Sequence, residues 1–508
     1  MGHGDLNGRQ VIVDLKTKSL ISKLLYLIPA AHILIWVVLP SMLEGSLRLD
    51  AAEGMTGGPE WQLSYPKHPP FSEWLIALAW YTGPIRYSAL YLISQLLAAG
   101  SIFLIARWLL SIFGAVPALI ALCAGLASPF TTYIPVQLNH NIGVMPFWAL
   151  VIITAWNAFN TNKIFSWLLF GVSVGLGLWA KYSIFHLVAA LGVVFFSIPK
   201  WRQQIFGAGP WIAALTAIVI IAPHGYDVLV KGSSTFNHAI NHVYLTPREV
   251  FGFTFNMLLN STILFLFTSV PFVLCVGFRS FSKALIESIH PDTASPRDWF
   301  LFAATFGPIV LLVASPFLGI RPRPLWITPL IIPLVIYFAN ILSRIENVKI
   351  HRALVATGVF SSLLIFGYIS TIIVPIQNEK PQYSNLDHRK ILRDAQEYWR
   401  INGSGRIVYI VQTQRQRAMH TAGSIAFDLP YKVHVFDQAS VKMSPWIRPN
   451  DVTRRGALVI GSPDIPDDFT VNAMPVVKKA TYQAPTIRGR SRLPVTFGVI
   501  EAQIIEQN

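Results

Sequence analysis

The chain has 508 residues, of which 53% are hydrophobic and only 13% charged, with a mean hydropathy of +0.50. A soluble globular protein carries about 25% charged residues, so this composition excludes a soluble domain with a single anchor and points to a polytopic α-helical membrane protein. The formal net charge of +15 is what positive-inside topology and contact with anionic head groups ask of such a chain, and nucleic-acid binding is not expected.

In chain order, residues 1–18 are polar and basic, with Arg9, Lys16 and Lys18, and an apolar run follows from about Leu24 to Leu43. That run matches the ~20 residues a spanning helix needs. No small-residue cleavage site follows it, so it reads as a retained signal anchor with its N-terminus in the cytoplasm. The stretch from about 44 to 70 is then the first external loop. Further apolar runs occur near 72–82, 87–113, 115–129, 142–160, 164–180, 183–198, 209–230, 257–278, 299–318, 324–343 and 352–375, which predicts eleven to thirteen spans. Cys123 and Cys275 lie in such runs and read as buried hydrophobes.

The character changes near Pro375. Residues 376–508 hold 18 Lys and Arg against 12 Asp and Glu. Within them 406–411, 431–436, 456–461 and 495–500 read as short strands, and 387–399 has helical spacing, with Ile391, Ala395 and Trp399 on one face. The expectation is a membrane domain over 1–375 and a small external α/β domain over 376–508. The latter has no phosphate loop, zinc spacing or nucleophile elbow, so a lid or support role is its plain reading.

The chemistry gathers beside the first span. The loop holds Leu49-Asp50-Ala51-Ala52-Glu53, and then Tyr65-Pro66-Lys67-His68-Pro69-Pro70 just before the chain turns back into the apolar phase. Asp50 and Glu53 share a face if the loop is helical. A carboxylate there serves as a general base, as a metal ligand or as a plain solvated loop residue. Lys67 supplies either fixed charge or a snorkelling stem. Gly171, Gly175 and Gly177 suggest close helix packing, whereas Lys181 inside an apolar run is costly unless paired. His224, Asp227, Lys231, His238, His242 and Tyr244 form either an entrance for an acceptor or a polar loop. Arg321 and Arg323 sit in a Pro-rich break, where setting topology is the plain reading.

The D-x-x-E of the first external loop followed by Y-x-K-H-P-P resembles the GT-C glycosyltransferases. It resembles most the dolichyl-phosphate-mannose protein mannosyltransferase-like group (family 39), which includes bacterial transferases acting on lipid A and lipopolysaccharide core. Three more stretches agree: Gln137-Leu138-Asn139-His140-Asn141 ahead of Pro146-Phe147-Trp148, the Gly171 to Lys181-Tyr182 segment, and Arg321 to Trp326 with Pro329. The resemblance implies an inverting transfer of a sugar from a polyprenyl phosphate to a hydroxyl of lipid A, lipopolysaccharide core or another glycan, at the outer face of a bacterial inner membrane.

In that scheme Asp50, with Glu53 beside it, is the base that a poorly nucleophilic hydroxyl needs. Lys67, Lys181, Arg321 and Arg323 meet the phosphate charge that grows as the sugar leaves. His68, Asn139, His140, Asn141 and Tyr182 complete the donor site. Many members carry a second acidic residue where this chain has Leu138-Asn139-His140-Asn141, which puts a two-carboxylate metal site in doubt and leaves no cofactor expected. The soluble tail and the K-H-P-P loop resemble rhizobial-type galacturonosyltransferases, which suggests a uronic acid donor; aminoarabinose and mannose stay open. The rival class is a multi-span transporter or flippase of a lipid-linked sugar, which usually shows matching halves; no such repeat is visible here.

Overall fold

The computed structural model describes residues 15–230, 245–290, 295–377, 386–413, 416–485 and 492–503. Its first part is helical: α1 (Leu15–Leu43), α2 (Leu49–Gly57), α3 (Phe71–Trp80), α4 (Arg86–Phe113), α5 (Ala115–Leu126), α6 (His140–Gly143), α7 (Met145–Thr161), α8 (Ile164–Ala180), α9 (Ile184–Ser197), α10 (Pro199–Arg202), α11 (Ala208–Val230), α12 (Pro247–Val276), α13 (Phe278–Ile289), α14 (Pro296–Ala314), α15 (Ile331–Leu342) and α16 (Ile350–Gln377). Among the described residues eight helical segments are long and apolar enough to cross a membrane, and α9 with the Pro199–Phe206 segment, bent by 102° between them, counts as a ninth if the pair is one broken span rather than a re-entrant loop. Three shorter apolar helices, α3, α5 and α8, bring the apolar segments among the described residues to twelve, so the expected range is met only when these shorter pieces are counted.

Burial sorts the helices. Every residue of α15 is buried, and its sequence, apolar on all sides, suits a helix at the centre of a bundle. The Tyr337 hydroxyl meets Ser288 Oγ at 2.9 Å and Asn340 Nδ2 donates to Asp298 Oδ1 at 2.7 Å. By contrast α1, α11 and α16 bury little of their apolar surface, and exposed Phe366, Leu363 and Leu34 face where lipid lies. Gly171 and Gly175 set α8 against α11, since a Cβ on Gly171 would lie 2.4 Å from the Ala213 carbonyl oxygen and one on Gly175 2.8 Å from Ile220. Both cysteines are free and buried.

The second part holds α17 (His388–Asn402), α18 (Gln416–Asp428), α19 (Pro449–Arg455) and a five-stranded sheet. The strands are β1 (Tyr409–Gln412), β2 (His434–Asp437), β3 (Ala457–Gly461), β6 (Val477–Pro485) and β7 (Arg492–Ile500), ordered β2-β1-β3-β7-β6. A separate hairpin joins β4 (Thr470–Val471) to β5 (Met474–Pro475). β1 runs parallel to β2 and β3, and β7 antiparallel to β3 and β6. Alternation divides the faces. Ile410, Val435, Leu458 and Ile460 join the core that continues into the membrane helices, while Tyr409, Val411, Phe436 and Val459 form a second core on the far side. The four expected strands and the helix are all present; α18, α19, β4, β5 and β6 go beyond that expectation.

Helix α18 rests on α2, and the contact is close. A Cβ on Gly423 would lie 2.0 Å from the Ala52 carbonyl oxygen. Around it His420 Nε2 lies 2.6 Å from the Leu47 carbonyl oxygen, Trp80 Nε1 donates to the Leu429 carbonyl at 3.2 Å, and Lys432 Nζ donates to Glu60 at 2.9 Å. Overpacking a seam of this kind costs about 1–3 kcal/mol. Gly423→Leu is therefore expected to lower the midpoint of thermal unfolding in detergent, and Ser424→Ala, on the same helix, to leave it nearly unchanged.

Candidate active site

The first loop does form a helix. Asp50 and Glu53 stand in α2, preceded by extended Arg48 and followed by Gly57 and Gly58. These glycines let the loop fold back on itself, since a Cβ on Gly57 would lie 2.7 Å from the Tyr65 ring and one on Gly58 2.5 Å from the Glu73 carbonyl oxygen. The Tyr65 hydroxyl donates to the Gly57 carbonyl at 3.0 Å. This fold-back brings Lys67 over α2, where its ammonium donates to Glu53 Oε1. Pro70 then precedes α3.

Four separate segments converge here. Asp50 lies in the electrostatic reach of Glu53, His140, Lys181 and Lys67. Burial, then the Glu53 carboxylate, push its carboxyl above the ordinary aspartate range, opposed by His140, Lys181 and Lys67. The Lys181 ammonium donates to Asn141 Oδ1 and lies 5.1 Å from the Trp326 ring centroid; an amide oxygen and a ring face are what a buried cation needs. The His68 and His140 rings are 4.0 Å apart.

Asn139 has a structural task. Its side-chain oxygen caps α6, accepting from the backbone N–H of Asn141 at 2.9 Å and of Ile142 at 3.2 Å. That cap presents His140 and Asn141 side by side. Among the described residues the Asn139 Nδ2 is buried without a partner.

Two carboxylates that sequence reading passed over complete the cluster. Glu73 lies in α3, within a run read as simply apolar, and both its oxygens lie 3.0 Å from His140 Nε2. It stands beside the position where Asn139-His140-Asn141 carries no acid of its own. Asp437, at the end of β2, is buried and reaches the site from the C-terminal domain. Burial raises its carboxyl to about 6, with Lys67 lowering it and Glu53 raising it. A single charged residue inside an otherwise apolar run is the available signal for Glu73; nothing local marks Asp437.

Of the other predicted residues, Tyr182, Arg321 and Arg323 lie apart from these contacts. Glu53 is joined to Lys67, which argues against it as a free base. The Tyr182 hydroxyl bonds His224 Nε2 at 2.6 Å, whose Nδ1 lies 2.6 Å from the Leu63 carbonyl oxygen, so this pair braces the loop. Ser64 Oγ donates to Asp227 at 2.6 Å in the same seam. Arg321, half exposed, pairs with Glu249 at 3.2 Å, and Arg323 is also exposed. Their segment reaches the cluster through Trp326. Lys231, His238, His242 and Tyr244 lie outside the described residues. No group of three or more His, Cys, Asp or Glu side chains is arranged to hold a metal among the described residues.

A family model described as dolichyl-phosphate-mannose-protein mannosyltransferase matches residues 67–226. Two lipopolysaccharide core galacturonosyltransferases of Rhizobium johnstonii are similar: RgtB is 24% identical over 339 residues, 65% of each chain. RgtA is 25% identical over 323 residues, 61% of this chain and 63% of its own. The chain thus spans just under two thirds of the length of the curated relatives it matches. Among solved structures, ArnT from Cupriavidus metallidurans bound to undecaprenyl phosphate has a TM-score of 0.61 at 14% identity, covering 95% of this chain and 98% of that one. The apo form gives 0.59 over the same coverage. The fold is of the GT-C type, and the protein is a multi-pass membrane protein.

The sign of the neighbours yields a test at Asp50. Removing a like charge favours the ionised carboxylate. Glu53→Gln is expected to shift the protonation of Asp50, followed by difference infrared spectroscopy of the carboxyl band, to lower pH, and Lys67→Met to shift it to higher pH.

Proposed function

We propose that this chain is an inverting glycosyltransferase that moves a sugar from a polyprenyl-phosphate donor to a hydroxyl of a lipid A, lipopolysaccharide-core or other glycan acceptor, the sugar being a uronic acid. The observation that carries the reading is the meeting of Asp50 with Lys67, Lys181 and His140 in one cluster, a base beside fixed cations. The fold shared with ArnT bound to undecaprenyl phosphate and the similarity to two lipopolysaccharide core galacturonosyltransferases support it.

The chemistry follows from those residues. Asp50 takes the proton of the acceptor hydroxyl, and the oxygen attacks the anomeric carbon from the face opposite the phosphate. The bond from that carbon to the phosphate oxygen breaks, and its electron pair leaves on the polyprenyl phosphate. Lys181, held by Asn141 and Trp326, and Lys67 offset the developing charge. The unpartnered amide of Asn139 is a donor for a sugar hydroxyl. The outer face carries the site in this reading, which sets the C-terminal domain in the periplasm and the N-terminus in the cytoplasm of a bacterial inner membrane.

A divalent metal is a poor fit. The family's second acidic position is held by Asn139 to Asn141, and Glu73 is occupied by His140, so charge compensation falls to lysine. Transfer by the purified protein is accordingly expected to survive exhaustive chelation with EDTA within about twofold; strict restoration by one divalent ion would refute this part of the reading.

The decisive experiment offers radiolabelled polyprenyl-phosphate galacturonic acid, aminoarabinose and mannose to the protein in nanodiscs with a lipid A or core acceptor. Transfer of galacturonic acid is expected, reduced about 10²- to 10⁴-fold in Asp50→Asn, the usual contribution of a general base. Transfer of another sugar would correct the donor. Movement of the lipid-linked sugar across the bilayer without transfer would replace the enzyme by a flippase.

A further inference from the structure

Helix α3 carries a single charge, Glu73, in an otherwise apolar sequence. It is only 7% exposed, and a buried carboxylate is costly unless a partner compensates it. That partner, His140, is held from three sides. Asn139 caps α6 and so places His140 at the first position of that helix. Gly143, one turn further on, has no side chain to hold α3 away: a Cβ there would lie 2.6 Å from Ser72 Oγ. Glu73, next in the chain, then meets His140 with both oxygens 3.0 Å from Nε2. The His68 ring lies against the imidazole, 4.0 Å away between centroids and tilted by 37°.

The contact with Glu73 decides the state of the ring. A carboxylate only accepts, so the proton in both contacts belongs to Nε2. The neutral imidazole then carries its lone pair on Nδ1. Among the described residues Nδ1 makes no hydrogen bond, and it keeps some accessible surface, the side chain being 13% exposed. The ring also stands within electrostatic reach of Asp50. We propose that Glu73 is a positioning residue: it locks His140 in the Nε2–H form, so that Nδ1 accepts a hydrogen bond from a hydroxyl of the donor sugar beside Asp50. This rests on the transferase reading above. A free imidazole divides between two tautomers, and with the ring held by the cap and by His68 only one of them presents its acceptor to the sugar. Glu73 thus acts, through His140, on the sugar and not on the lipid phosphate, which falls to Lys67 and Lys181.

Two measurements on the full chain in nanodiscs test this, using Glu73→Met, which suits an apolar helix. Nitrogen NMR of protein isotope-labelled at histidine, at about pH 8.5, two units above an ordinary imidazole, reports the tautomer, and His140→Gln identifies the signals. The Nε2–H form is expected in the native chain and a mixture with Nδ1–H in Glu73→Met. Binding is then measured with two probes, polyprenyl-phosphate galacturonic acid and polyprenyl phosphate without a sugar. Glu73→Met and His140→Gln are each expected to weaken the first about tenfold, the fold-change of one hydrogen bond, and to leave the second unchanged, a split that lost packing alone does not produce. Glu73→Gln, nearly isosteric, with an amide that either accepts from or donates to Nε2, takes its place in both arms if Glu73→Met fails to fold. Equal weakening of both probes, no weakening, or an unchanged tautomer would overturn the role of Glu73 and leave the transferase reading standing. A native chain that binds neither probe would strike that reading itself, and the proposal with it.

Discussion

The contact between Gly423 and the Ala52 carbonyl is the constraint on which the rest of the site depends. Helix α2 has only nine residues, too few to hold itself in water. Its geometry is imposed from two sides: by the fold-back of the Tyr65 to Pro70 segment beneath it and by α18 above it. The absence of a side chain at Gly423 lets the two helix backbones meet, and His420, Trp80 and Lys432 fix the angle of approach. A domain that looks like an appendage in sequence is therefore one wall of the seat of α2. The continuous core through Ile410, Val435 and Leu458 makes that wall rigid.

Electrostatics explains why the charges gather at all. Each of Asp50, Glu53, Glu73, Asp437, Lys67, Lys181 and His140 would be costly alone at the edge of a membrane domain. Placed together they satisfy one another: Glu73 holds His140, Glu53 holds Lys67, and Asn141 holds Lys181. Among the described residues Asp50 makes no direct hydrogen bond or ion pair but has two lysines and a histidine in electrostatic reach, and the residue least committed to a structural pair is the one the proposed transfer uses as its base.

Much of this was legible along the chain, and the rest was hidden for physical reasons. The spans announce themselves by composition, and the D-x-x-E and K-H-P-P signals lie within one loop, so Asp50, Glu53 and Lys67 could be linked without coordinates. Lys181 stood out because a lysine in an apolar run demands a partner. Glu73 was passed over for the opposite reason: its neighbours are so apolar that the run absorbed it, although the same logic of cost applied. Asp437 sits at the end of an unremarkable strand and gains meaning only from the packing of α18 on α2. The edge strand β6, Val477-Lys478-Lys479-Ala480, carries lysines that keep an edge soluble and thereby erase the apolar alternation. Arg321 shows a different limit, since its charge was plain in the sequence but its half-exposed pairing with Glu249, 72 residues earlier, was not.

The two lysines of the cluster are not equivalent, and their surroundings say how they divide the work in the transfer proposed above. Lys67 and Glu53 are each about one third exposed. Such a half-solvated pair is worth little, on the order of 1 kcal/mol or less, so exchanging the carboxylate for a lipid phosphate costs little. Lys181 is buried, held by an amide oxygen and a ring face that carry no full charge to displace. Its position is set before any ligand arrives, and a fixed cation in a dry site acts most strongly on charge that develops during a reaction. In the proposed transfer Lys67 then belongs to the capture of the donor and Lys181 to the departure of its phosphate. The division follows from which ammonium already has an anion to trade.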